Sequence, residues 1–136
     1  MARVLVAVDF LIVGLGGALG AMARHGAGLA LASMGRFPYA TLAVNVVGCF
    51  AIGVLMSLVE ARGAHGGRLH LLLGVGLMGG LTTFSAFGYD TLRMLREGAW
   101  LLALLNIGVN VGVGLGAAAL GWWLGSGLGA ARGGAA

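Results

Sequence analysis

The sequence has 136 residues, of which 60% are hydrophobic and only 9% charged, with a formal net charge of +4. A chain this apolar is not an ordinary soluble domain, which excludes a water-soluble enzyme. The 28 glycines sit inside Leu/Val/Ala-rich runs beside a single proline, excluding a collagen repeat or a disordered linker. Arginines, with no lysine, supply the positive charge against Asp9, Glu60, Asp90 and Glu97. They lie at the ends of apolar runs rather than interleaved with aromatics, so no nucleic-acid partner is expected. Cys49 stands alone, which leaves no internal disulfide and no thiolate metal site.

Charge placement marks the membrane spans. The first apolar run, Val4 to about Ala32, contains Asp9 and Arg24. A signal peptide cleaved after Ala21-Met22-Ala23 is the rival reading, but Asp9 falls where such a segment is purely apolar. Phe37 to Val59 is uncharged between Arg36 and Glu60, and at about 1.5 Å per residue reaches ~35 Å against a hydrocarbon core of about 30 Å. Leu69 to Tyr89 is uncharged between Arg68 and Asp90. A last run from Gly98 holds a span ending near Trp122 and Trp123, an interfacial aromatic anchor. The expectation is an all-α membrane protein forming one domain over 1–136. Its helices fall at about 4–32, 38–60, 68–97 and 99–124, with a flexible tail over 125–136.

Orientation is ambiguous. Arg3, Arg62, Arg68 and Arg132 fall on one side, and Arg36, Arg93 and Arg96 on the other with Arg24 near them. Such a balance gives the positive-inside rule no preference, so the chain can insert both ways and associate as an antiparallel dimer.

The polar residues within the spans carry the functional signal. Gly79-Gly80-Leu81-Thr82-Thr83-Phe84-Ser85-Ala86-Phe87 occupies the middle of the third span. Two glycines and two threonines at that depth predict a helix break, tolerated only where backbone is buried in protein or lines a polar cavity. A kinked helix with threonine back-bonding is the alternative. Phe84 and Phe87 share a helix face, and a phenyl edge carries partial positive charge that suits a desolvated anion; core or lipid-facing filler is the plainer reading. Thr41 and Asn45 lie on one face of the second span, continued by Gly48 and Cys49, as pore lining or as interhelical glue. In the fourth span Asn106 and Asn110 form a polar track, while Gly108, Gly112 and Gly116 on the other side suggest a packing seam. Arg24 either snorkels to headgroups or holds a vestibule positive. His25, His65 and His70 lie near predicted span ends and read as interfacial.

Together these residues resemble the Fluc (CrcB) family of fluoride channels over almost the whole chain. The resemblance is carried by Gly16-Gly17, Gly20-Ala21 and Arg24, by Pro38, Thr41-Leu42, Asn45 and Gly48, and by the string from Gly79 to Phe87. It implies a dual-topology antiparallel homodimer in the cell inner membrane, with two pores at the subunit interface that export fluoride passively and relieve its toxicity. It also implies a structural sodium ion (Na+) at the dimer centre, held by the backbone carbonyls of Gly79 and Thr82. Asn45 would donate to fluoride, Phe84 and Phe87 would present ring edges, and Thr41 and Ser85 would add hydroxyls. The chain departs from the family pattern at Asn106 and Asn110, where Tyr and Ser are usual, and at Asp90, where Glu is commoner. The competing class is a small multidrug-resistance exporter coupled to protons; it needs a mid-membrane Glu in the first helix, and this chain has only Asp9, near its start.

Overall fold

The computed structural model describes residues 2–61 and 67–133, with side chains described from 6 to 61 and from 67 to 128. Arg62 and His65 lie outside the described residues, as do the side chains of Arg3 and Arg132. The fold is all-helical: α1 (Ala2–Ala30), α2 (Tyr39–Ala61), a π-helical segment (His70–Met78) running into a single turn α3 (Gly79–Leu81), then α4 (Phe84–Arg96) and α5 (Trp100–Gly133). Among the described residues four stretches are long and apolar enough to cross a membrane: Val6–Ala30, Tyr39–Ala61, Arg68–Arg96 and Trp100–Leu128.

The helices associate through two seams. α2 packs most heavily on α5, and α1 on the first half of the third span. Both seams rest on glycine. A Cβ at Gly53 would run into the carbonyl oxygen of Ala118, and one at Gly121 into that of Phe50. Close backbone approach of this kind replaces, between membrane helices, the hydrophobic force that packs helices in water.

Three expectations need correction. α5 does not give way to a tail at 125 but stays helical to Gly133. Gly125 abuts Val54 and Ser57 of α2, so the seam continues past Trp122 and Trp123. Gly108, Gly112 and Gly116 are not the packing seam of the protomer, since a Cβ at any of them would meet nothing within 4 Å. The face of α5 turned inward is instead the one bearing Asn106, which is 0% exposed. His70 is not simply interfacial either, because its Nδ1 is enclosed without a hydrogen-bond partner.

The break in the third span is present at Thr82 and Thr83, both extended (φ −80°, ψ 155° and φ −153°, ψ 113°). Each threonine finishes one helix end. Thr82 Oγ1 donates back to the Met78 carbonyl (2.9 Å), closing the first half. Thr83 Oγ1 accepts from the Ala86 amide (3.1 Å) and caps α4. At its other end α4 stops in a Schellman motif: Gly98, at φ +74°, donates to the Leu95 carbonyl (3.1 Å) and Ala99 to that of Met94 (2.9 Å). The turn reverses the chain so that α5 returns beside α4.

Candidate functional site

The break matters because of what it releases. In a continuous helix the Thr83 amide would donate to the Gly79 carbonyl and the Ala86 amide to that of Thr82. Here the Thr83 amide donates to Asn45 Oδ1 (2.8 Å), and Ala86 bonds the Thr83 hydroxyl. The carbonyls of Gly79 and Thr82 therefore lose their helical donors, and Gly79 is exposed on the protomer surface. Among the described residues no three His, Cys, Asp or Glu side chains cluster as a metal site. Released carbonyls are nevertheless suitable ligands for a hard cation.

Asn45 of α2 stitches the extended segment in place. Besides accepting from the Thr83 amide, its Nδ2 donates to the Thr83 carbonyl (3.3 Å) and to Asn110 Oδ1 (3.1 Å). Gly48, one turn along α2, has no side chain because Thr82 Cγ2 occupies that space. Asn110 Nδ2 in turn donates to Asn106 Oδ1 (2.9 Å) and to the Asn106 carbonyl (3.0 Å). Asn106 Nδ2 donates to Thr91 Oγ1 (2.8 Å), and Thr91 donates to the Phe87 carbonyl (2.8 Å). A directed relay of amides and hydroxyls thus runs from the break to the base of Phe87.

An open concavity of about 460 Å³ lies over this relay, lined by Asn45, Gly79, Thr82, Thr83, Phe84, Phe87 and Asn110 among others. A second, of about 260 Å³, is lined by Arg24, His25, Thr41 and Ala86, and Thr83 forms part of its wall too. Thr83 therefore separates the two spaces. Thr41 Oγ1 donates to Asp90 Oδ2 (3.0 Å), whose other oxygen accepts from Arg93 (3.3 Å). Phe84 is 83% exposed while Phe87 is half-buried, with ring centroids 5.4 Å apart and planes inclined by 51°.

The structure thus gathers Asn45, Phe84, Phe87, Asn110, Gly79 and Thr82 around one space, and Arg24 and Thr41 around its neighbour. Ser85 is exposed and shares a hydrogen bond with Thr83 Oγ1 (3.2 Å). Asn106 does not line the concavity; it is wholly buried behind Asn110. Sequence reasoning passed over two members. Thr83 stood in the quoted string, and its place before a helical run is an N-cap signature that pointed to it. Thr91 carried no sequence signal, because only the docking of α4 on α5 brings it to Asn106.

Residues 11–122 match the family described as CrcB-like protein, Camphor Resistance (CrcB). The chain belongs to the CrcB family. It is 41% identical over 105 residues to a protein of Shewanella loihica named fluoride-specific ion channel FluC, covering 76% of this chain and 84% of that one. The protein of that name from Dehalococcoides mccartyi strain BAV1 is 41% identical over 120 residues, covering 87% and 92%. A third, from Solibacter usitatus, is 42% identical over 102 residues, covering 74% and 84%. With its four apolar spans, this CrcB-family chain is a multi-pass membrane protein. The drug-exporter alternative gains no support from these relatives.

Proposed function

We propose that this CrcB-family chain is a fluoride-selective channel, not an enzyme, which exports fluoride passively across the cell's inner membrane and so relieves its toxicity. The observation that carries the reading is the extended Thr82-Thr83 break pinned by Asn45 and flanked by Phe84, Phe87 and Asn110, in a chain whose relatives are named fluoride-specific channels. The working unit in this reading is an antiparallel homodimer. Phe84, 83% exposed in the protomer, would then meet the second copy rather than lipid.

The physical task is to move a small anion out of water, and even a carboxylate-sized ion costs on the order of 20 kcal/mol for idealised transfer to low dielectric. The chain answers with donors in series. Arg24 keeps its concavity positive and raises the local anion concentration. Both Asn45 amide hydrogens are already engaged, by Asn110 and more loosely by the Thr83 carbonyl at 3.3 Å. Fluoride entering here takes one of them by displacing a neutral acceptor, so the anion is bound without a deep well that would trap it. The tilted Phe84 and Phe87 rings offer their positive edges to the ion as it sheds water. Asp90, held by Thr41 and Arg93, is kept from repelling the anion as a bare carboxylate. The freed carbonyls of Gly79 and Thr82, paired with those of the second copy, fit a structural sodium ion at the dimer centre. When bound, it would supply a fixed positive charge between the pores.

Expression in a bacterial strain lacking its own fluoride export should restore growth in fluoride-containing medium, and Phe84→Ile should not. Failure of the wild-type chain to restore growth, despite membrane insertion, would remove the export role.

A further inference from the structure

We propose that the outer face of α4, near its C-terminal end, binds the phosphate of an anionic glycerophospholipid. Tyr89, Leu92, Arg93 and Arg96 recur at i, i+3, i+4 and i+7 and so share one helix face. With Glu97 they line a concavity of about 280 Å³. This face is not the inward one, where Thr91 and Met94 are buried; at Leu92 it borders the apolar one bearing Phe84, Gly88 and Leu95, while Tyr89, Arg93 and Arg96 lie outside that one. Tyr89 and Leu92 are 68% and 51% exposed.

The depth is that of headgroups. Arg96 ends the third span, and the exposed Trp100 begins the fourth. The local charges are already sorted. Arg36 donates to Glu97 Oε2 (2.7 Å), which ties off the carboxylate beside the concavity. Asp90 is shared between Thr41 and Arg93, a contact that uses one of Arg93's five N–H donors. Arg96 has no carboxylate partner among the described residues. One guanidinium is therefore unneutralised and a second has donors to spare, with a phenol hydroxyl one turn away. Guanidinium groups suit phosphate oxygens by geometry as well as charge. Leu92 and the Tyr89 ring supply an apolar floor that matches glycerol and the upper acyl chain. A role confined to complementing the helix dipole would explain Arg93 and Arg96, but not the exposed Tyr89 and Leu92 arranged with them.

The test is a titration of the purified protein, in neutral detergent, with phosphatidylglycerol or phosphatidylcholine, read by native mass spectrometry with inorganic phosphate as competitor. At about 1 kcal/mol for each arginine near a membrane surface, Arg96→Gln should weaken phosphatidylglycerol binding about fivefold, and Arg93→Gln with Arg96→Gln about thirtyfold. Arg68→Gln, at the opposite end of the same span, should leave it unchanged. Phosphatidylcholine should bind far more weakly, and equimolar phosphate should not compete. Undiminished phosphatidylglycerol binding by Arg96→Gln overturns the proposal, as does equal binding of the two lipids. Displacement by phosphate would reduce the site to one for free anions and overturn the lipid assignment. Fluoride efflux by Arg96→Gln at the wild-type rate shows that the variant is folded, and keeps this result separate from the channel reading.

Discussion

Replacing Asn110 by alanine removes the middle of the polar relay while leaving the helix break and both phenylalanines in place. The wild-type side chain accepts one hydrogen bond, from Asn45, and donates two, to the Asn106 side chain and carbonyl. Without it, Asn106 Oδ1 loses a donor at a site with 0% exposure, and Asn45 Nδ2 keeps only the 3.3 Å contact to the Thr83 carbonyl, while Asn45 Oδ1 still accepts from the Thr83 amide. Loss of a partner to a buried polar group costs about 1 to 3 kcal/mol. If the lost donor serves the passing ion, the same amount is added to the barrier. At about 1.4 kcal/mol per tenfold in rate, flux falls roughly fivefold to a hundredfold. The assay is fluoride efflux from liposomes reconstituted at a density of one proposed dimer or fewer per vesicle, with the oligomeric state checked by size exclusion. Asn106→Ala serves as the comparison: it lies behind the lining, so its effect should appear first in thermal stability. Wild-type flux through Asn110→Ala, with Asn45→Ala and Phe84→Ile impaired, would refute a pore role and leave Asn110 as packing glue between α2 and α5.

Gly121→Ala should lower the yield of folded protein, because its methyl would meet the Phe50 carbonyl; Gly112→Leu, on an open face, should instead leave the protomer folded and weaken the dimer, as read by cross-linking. Wild-type dimer yield from Gly112→Leu would put that face against lipid. Replacing sodium with a bulky organic cation during purification should lower the thermal stability of the dimer; identical melting in both salts would count against Gly79 and Thr82 as ligands. After replacement of Cys49, single cysteines at either terminus should be labelled from both sides of native membranes, and one-sided labelling would exclude dual topology.

The four spans were legible because arginines and carboxylates bracket long apolar runs, and an apolar helix of that length has few other fates. The break was legible for a related reason: Gly79-Gly80 weakens the helix where Thr82 and Thr83 can satisfy the freed backbone. Which face of α5 turns inward was not. In a soluble helix burial separates apolar from polar faces, but against lipid both the asparagine side and the glycine side of α5 are plausible seams. Reading the asparagine side as a polar track and the glycine side as a packing seam does not say which of them meets α2 and α4; in the protomer Asn106 is buried and Gly108, Gly112 and Gly116 lie open. The extension of α5 to Gly133 has no local signature in a Gly- and Ala-rich stretch, and the approach of Gly125 to α2 is a tertiary fact. The π-helical turn pattern of His70–Met78 was likewise unmarked by anything but Gly74 and Gly76.

The most direct measurement is anion efflux from liposomes containing the purified protein, loaded with fluoride or chloride and opened to potassium by an ionophore, with each anion followed by its own electrode. The account predicts rapid fluoride release without any proton gradient, chloride retention throughout, and loss of fluoride release in Phe84→Ile. Equal release of the two anions, or fluoride release that appears only when a proton gradient is imposed, would contradict it.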